Sequence, residues 1–433
     1  QEGCTTALPV LDTQFQNVNS MLKKIEQAPF SPDDPIFQEL ETLLFEMAPV
    51  VSACSTPVMD YTELIAKVRF VVKEQSVEWD MRSAAAPSTL YRLLYGSRAA
   101  AEEAILQSSV GEISPLVYGQ SEPSQTPFVN VYEVQVHSGD ILVSRGGAST
   151  SALIARGNDY PGNFSHIALV YVDPDTHTPF IVEAHIEQGT VVSTLEQYLK
   201  DKKLRIVLLR PRADLPQLIK DPLIPHKAAE LLYTRATTEH IAYDFEMNYK
   251  EHQKLFCSEV ASSGYDAFGI TLWTNLSRIS SPGLQRWLNA FGVQHFETQE
   301  PSDLEYDPQF TVVAEWHDRD TLKKDHYDNA VTDVMLEGAE QGDELSYKLY
   351  LLPFIRIAKV YSALLNTVGM TGPVPEGMSP QAALRNMAYT KKHEALTAEL
   401  AKKALLFKKQ NGYEPPYWEL VRLARSAKQK MED

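Results

Sequence analysis

KLFCSEVAS (residues 254–262) decides how the chain is read. An apolar, strand-like approach ends at Cys257, and Ser258, Glu259 and small residues then allow a helix to begin. A thiol at a helix N-terminus faces the positive end of the helix dipole and the free N–H groups of the first turn. The thiolate, not the thiol, is the nucleophile, so such a cysteine needs a base or a positive dipole end nearby. Taken alone, Cys257 reads as a small core residue, because cysteine is among the most often buried residue types. What the rest of the chain brings to it decides between the two.

Among the eleven histidines, His166 stands at the start of a strand-like run in NFSHIALVYV (163–172), after the loop RGNDYPGNFS (156–165). The next strand, PFIVEAHIEQ (179–188), carries Glu183 and His185. If Val172 pairs with Pro179, or Tyr171 with Thr178, the two-residue alternation puts His166, Glu183 and His185 on one face. A slip of one residue brings Val182 and Ala184 there instead. A carboxylate beside the second ring nitrogen fixes the imidazole tautomer and stabilises its charged form, and Glu183 suits that task better than His185.

Outward from these segments the period of the sequence changes twice. Residues 14–110 carry helical stripes, Phe37, Leu40, Leu43, Leu44 and Met47 in one and Leu64, Val68, Val71 and Val72 in another, punctuated by Pro32, Pro35 and Pro57. Strands are expected near 131–136, 140–144, 165–172, 180–186, 190–193, 205–210 and 310–316, with helices at 149–156, 194–201, 224–236 and from Cys257. Beyond about 317 the pattern is helical to the end. This gives an N-terminal helical bundle (1–128), a mixed middle domain (129–316) and a C-terminal helical region (317–433).

The segments SGDILVSRGG, SHIALVY, IVEAHIEQGTVVSTLEQYL, AYDFEMN and FCSEVASSGY, in that order, resemble the permuted NlpC/P60 papain-like enzymes of the YiiX/YebB type, relatives of the lecithin:retinol acyltransferase-like group. Ordinary NlpC/P60 enzymes place the cysteine before the histidine, and here Cys257 follows both His166 and Glu183. The resemblance covers residues 129–316, less than half of the chain. It implies an α+β fold, a circularly permuted papain-like domain with an antiparallel sheet flanked by helical regions. It further implies Cys257 as nucleophile, His166 as general base and later acid, Glu183 as the orienting third member, and an oxyanion hole that includes the Cys257 N–H. Tyr243 matches the tyrosine ahead of the nucleophile in that group. Arg145 and Ser149, with Ser165 and Ser258 beside the reacting residues, are expected to edge the cleft.

The reaction implied is amide cleavage through an acyl-enzyme, with no cofactor and no metal. Cell-wall peptides are the implied substrate, with a lipid amide or ester as the alternative and a non-catalytic scaffold as the competing class. The net charge of −17 works against nucleic-acid binding, which relies on Lys and Arg. Cys4, Cys54 and Cys257 form no CxxC pair and match no zinc spacing. His317, Asp318, Asp320, Asp325 and His326 share HDRDTLKKDHYD (317–328) with Arg319, Lys323 and Lys324, and read as a solvated acidic–basic helix. The apolar YKLYLLPFIRIAKVYSALLNTVGM (347–370) contains Lys348, Arg356, Lys359 and a proline, so it reads as a buried helix pair and not a membrane span. Residues 378–433 carry 11 Lys and Arg against 6 Asp and Glu, an excess that could touch an anionic surface but reads first as a solvated helix face. The start QEGCTT fits a mature envelope or secreted protein, with Cys4 lipidated or paired with Cys54, or equally a trimmed cytoplasmic chain with both cysteines free.

Overall fold

The helical stripes of the first hundred residues become α1 (Glu2–Gln27), α2 (Pro35–Cys54), α3 (Val58–Ser76), α4 (Ala85–Leu90) and α5 (Ser97–Gln107) in the computed structural model, with a π-helical turn at Tyr91–Gly96. The structure describes residues 2–108, 113–366 and 370–432, so positions 109–110 of the expected helical stretch and 367–369 of the apolar one lie outside the described residues. Asp34 starts α2 by accepting a hydrogen bond from Ile36 N at 3.0 Å, and Pro35 occupies the first turn. Phe37, Leu40, Leu44, Met47, Leu64, Val68, Val71 and Val72 are all buried in one core. A Cys4–Cys54 disulfide ties α1 to the end of α2.

The middle of the chain builds β1 (Leu116–Tyr118), β2 (Phe128–Val131), β3 (Val134–His137), β4 (Ile141–Gly146), α6 (Ser149–Arg156), β5 (His166–Val172), β6 (Pro179–His185) and β7 (Gly189–Thr194). It continues with α7 (Leu195–Lys200), β8 (Lys203–Pro211), α8 (Pro216–Lys220), α9 (Ile224–Thr238), α10 (Cys257–Asp266), β9 (Ser277–Arg278), α11 (Pro282–Phe291), β10 (Glu297–Thr298) and β11 (Phe310–His317). Seven strands form an antiparallel sheet in the order β1-β11-β8-β4-β5-β6-β7. The strand expected at 131–136 is instead a hairpin, β2 and β3, turning at Tyr132 with a positive φ of 52°.

Alternation divides the sheet into two faces. Ile167, Leu169 and Tyr171 pack with Val260, Ala261 and Tyr265 of α10 and with α9. Ala168, Val170 and Val172 point the other way, to the β2–β3 hairpin and Tyr198 of α7. The remaining helices are α12 (Arg319–Glu340), α13 (Leu352–Asn366), α14 (Pro380–Asn411) and α15 (Tyr417–Glu432). Of these, α12, α14 and α15 enclose a third core together with Leu153 of α6 and Leu284 and Trp287 of α11.

Two expectations are corrected. Segment 317–328 is not simply solvated: Asp325, His326 and Asp328 are buried. Asp325 binds Arg205 at 2.7 Å and Arg145 at 3.1 Å, while His326 binds Glu102 at 3.1 Å. Packing against the arginines of the interior strands β4 and β8 buries Asp325, which local charge alternation does not reveal. The apolar stretch 347–370 is not a buried pair either, because α13 lies on the surface with most of its large side chains exposed.

Arg205 also forms a two-point ion pair with Glu102 of α5, and both partners are almost fully buried. Removing one partner of a buried ion pair strands the other charge. Arg205→Leu is expected to lower unfolding stability by about 3–5 kcal/mol, read as a shift of the urea midpoint; an unchanged midpoint would contradict the assigned role.

Candidate active site

The site is built where β5 begins. The loop leading to His166 is pinned by Arg156, which binds Asp333 at 2.8 Å and the Pro161 carbonyl at 3.1 Å, and by Arg98, which donates to Asn163 at 3.2 Å. Ser302 closes the same loop, accepting from Phe164 N and donating to Phe164 O, both at 2.9 Å. Gly162 passes so near that a Cβ there would lie 2.3 Å from Ser302 Oγ. The chain thus enters β5 with little freedom.

Val172 does pair with Pro179, and Ala168 lies opposite Glu183. This register brings His166, Glu183 and His185 together: His166 Nε2 lies 2.9 Å from Glu183 Oε2, and His185 Nε2 3.2 Å from Glu183 Oε1. Ser193 of β7 donates to Glu183 Oε1 at 2.9 Å. Ser193 carries no expectation in the sequence reading, yet GTVVST has the alternation that puts it on the Glu183 face once β7 pairs with β6. Among the described residues, Nδ1 of His166 has no hydrogen-bond partner. With Nε2–H donated to the carboxylate, Nδ1 carries the free lone pair and is the basic nitrogen.

Burial raises the Glu183 carboxyl, but the hydrogen bonds from His166 and His185 outweigh it and hold the group well below the usual carboxylate range. For His166 burial wins and the imidazole is pushed down. At His185 burial also pulls downwards, but Glu183 prevails and the ring is raised. The carboxylate charge is therefore balanced mainly by the outer imidazole, while His166 stays neutral and competent as a base.

Cys257 opens α10 as the sequence suggested, and Glu259 caps the helix by accepting from Phe256 N at 3.0 Å. The thiol is buried, and Sγ contacts the Ser165 carbonyl at 4.0 Å. Burial pushes it up to about 12, opposed by the backbone N–H groups of Ile167 and Ser258 and by the fully buried Ser258 hydroxyl. Helix α10 packs on the Ile167 and Leu169 face of β5, whereas His166 shares its alternation with Ala168 and Val170. Thiol and ring therefore come to the first residue of β5 from its two faces, and no hydrogen bond joins them in the resting structure.

Tyr243 lies close enough to Cys257 for a charge on the sulfur to be felt at its phenol, and its ring meets Phe245 edge-on at 5.0 Å. Glu300, which no local pattern marks, is buried beside both, and desolvation drives its carboxyl well up. Two expected cleft residues are corrected. Arg145 is fully buried in its ion pair with Asp325, and Ser149 is covered by α14, donating to Thr390 Oγ1 at 3.1 Å. The C-terminal helices, distant in sequence, bury both. Ser165, whose carbonyl meets Cys257 Sγ, and Ser258, next to Cys257 in α10, are both buried. Among the described residues no group of three or more His, Cys, Asp or Glu is placed to hold a metal ion.

Residues 135–314 match the model of a family described as permuted papain-like amidase enzymes, YaeF/YiiX, C92 family. The matched segment is under half of the chain and contains Cys257, His166 and Glu183. It is similar to a class of papain-like amidases, and the antiparallel sheet with its flanking helices agrees with an α+β, permuted papain-like domain. Among solved structures, the chain is similar to the crystal structure of metalloprotein YiiX from Escherichia coli O157:H7, at 20% identity and a TM-score of 0.34, over 42% of this chain and 97% of that one. No curated protein matches the chain.

Two outcomes follow from the charge balance. In Glu183→Gln the His185 ring should lose its raised affinity for protons and titrate below the ordinary imidazole value near 6.5, seen in histidine NMR titration; an unshifted His185 would break the assigned coupling. Iodoacetamide should label Cys257 slowly at neutral pH, with the rate rising roughly tenfold per pH unit as the thiolate fraction grows. A plateau reached below pH 7 would show a preformed thiolate and contradict the buried neutral thiol.

Proposed function

We propose that this chain is a cysteine hydrolase that opens an amide bond by acyl transfer. The observation that carries the reading is the His166–Glu183 pair, with its free Nδ1 one residue from the carbonyl that contacts Cys257 Sγ. In this reading the substrate carbonyl enters at the start of α10, and the ring turns from its resting position to take the thiol proton through Nδ1. Sγ attacks the carbonyl carbon, and the oxyanion is held by the Cys257 N–H at the helix end. Collapse of the tetrahedral intermediate breaks the C–N bond, and the imidazolium gives its proton to the leaving amine. Water, deprotonated by the same ring, then cleaves the thioester and restores the thiol.

Cell-wall stem peptides are the proposed substrates and the cell envelope the proposed location. The Cys4–Cys54 disulfide supports an oxidising compartment. A second reading, a lipid amide or ester as substrate, is favoured by the exposed apolar α13, which packs beside Phe245 next to Tyr243.

The test offers stem peptides and N-acyl amines to the purified chain and follows amine release and the mass of the protein. Turnover is expected with an acyl adduct on Cys257, none in Cys257→Ala, and a loss of about 10²–10⁴-fold in His166→Ala, the usual size of general-base catalysis. Turnover that survives in Cys257→Ala would remove Cys257 as the nucleophile, and the lack of both turnover and adduct from every peptide and lipid amide offered would leave a binding protein that retains a papain-like cleft.

A further inference from the structure

Helix α13 and the 3₁₀ turn before it (Leu349–Leu351) form one segment that is long and apolar enough by composition to cross a membrane, yet it lies along the protein. Its inner side is fixed. The Ser362 hydroxyl accepts from Val374 N at 3.0 Å, Lys359 Nζ donates to the Met378 carbonyl at 2.7 Å, and Ile355 and Ala358 pack on Val374, Met378, Ala382 and Ala383. Its outer side carries Tyr350, Phe354, Ile357 and Tyr361 at helical spacing, all exposed, with Phe354 and Ile357 at 67% and 68% and Val360 beside them at 64%. An apolar stripe of this size is not left open to water without a partner of matching chemistry.

Charge selects the partner. Residues 347–375 contain Lys348, Arg356 and Lys359 and no acidic residue, inside a chain of net charge −17. Apolar and aromatic side chains with cations beside them are the composition of a helix that lies in the plane of an anionic lipid surface. Spanning is a poor fit: the 18 residues Leu349–Asn366 are at the short end of what crosses a bilayer, and only 15 of them are α-helical. Arg356 and Lys359 also lie at mid-helix, and the inner face is already bonded to the protein.

We propose that the outer face of α13 is a docking surface for an anionic lipid bilayer, into which Tyr350, Phe354, Ile357 and Tyr361 insert while Arg356 and Lys348 meet the headgroups. The segment behind α13 leads towards the candidate site. Gly377 packs so tightly on the Phe245 ring that a Cβ there would lie 2.7 Å from it, and Glu376 binds His240 at 2.8 Å. Docking would therefore hold the Tyr243 edge of the site against the membrane. The inference stands on the exposure and charge of α13 and does not require catalysis.

The test floats the full-length chain through a density gradient with phosphatidylcholine vesicles, and with phosphatidylcholine vesicles containing phosphatidylglycerol. The chain is expected to float with the anionic vesicles and to partition at least tenfold less with the neutral ones. Ile357→Glu combined with Val360→Glu should abolish flotation, and Arg356→Gln should weaken it on anionic vesicles only. Circular dichroism and the urea midpoint show that each variant is folded; the substituted side chains are exposed. Failure to float, flotation unchanged in the double variant, or a dimer that the double variant dissociates while vesicles remain unbound would each overturn the proposal, the last assigning the face to a second copy of the chain.

Discussion

Arg205 is the point on which the architecture turns. Its guanidinium is fully buried on β8, between Glu102 of α5 and Asp325 of α12, and Arg145 of β4 shares Asp325. A lone guanidinium in such a place would be prohibitive, so the N-terminal bundle and the C-terminal helices must each deliver a carboxylate to the sheet. Arg69 of α3 with Glu315 of β11 and Arg98 of α5 with Glu305 add pairs of the opposite polarity, the bundle supplying the cation. Ion pairs of this kind add little net stability over a well-packed apolar seam, but they penalise any arrangement that leaves one partner behind. They also fix β4 and β8, the strands on which β5 and its histidine are laid.

This interlocking explains what the sequence could and could not disclose. The pairing of His166 with Glu183 was legible because a β-hairpin has only two parities, and one buries the apolar residues properly. The same logic reaches Ser193. The N-terminal stripes were legible because Phe37 to Met47 and Leu64 to Val72 each supply one full helical face. Arg145 and Ser149 were misassigned because their neighbours, Asp325 and Thr390, come from helices roughly two hundred residues away, and no local pattern records that contact. The fate of 347–370 was hidden for the opposite reason: apolar composition says that a segment avoids water, not what covers it.

The region around Cys257 shows which effect governs its thiol. Moving a thiol from 9 to about 12 corresponds to roughly 4 kcal/mol in favour of the neutral form. A helix N-terminus contributes about 0.3–1 kcal/mol, and up to ~2 kcal/mol in the best buried geometries. Desolvation therefore wins, and the neighbours agree: burial pushes Glu259 up to about 9 and raises Glu300 and Tyr243 as well. The whole pocket disfavours negative charge, so in the proposed reaction a thiolate has to be made at the moment of attack. A neutral imidazole with a free Nδ1 is the partner such a step needs, since an imidazolium could not accept the proton.

That resting state also fits a protein in which the other two cysteines are oxidised. Exchange with a disulfide and oxidation to sulfenic acid both proceed through the thiolate and need access to sulfur. Cys4 and Cys54 reach one another at the exposed ends of two helices and are joined. Cys257 is neutral, buried beneath Tyr243 and the start of β5, and free. Burial thus protects this thiol from oxidation and exchange. In the proposed reaction the balance is reversed when His166 takes the proton while the substrate carbonyl meets the N–H groups at the start of α10, which confines reactivity to a ligand that delivers its carbonyl to that helix end.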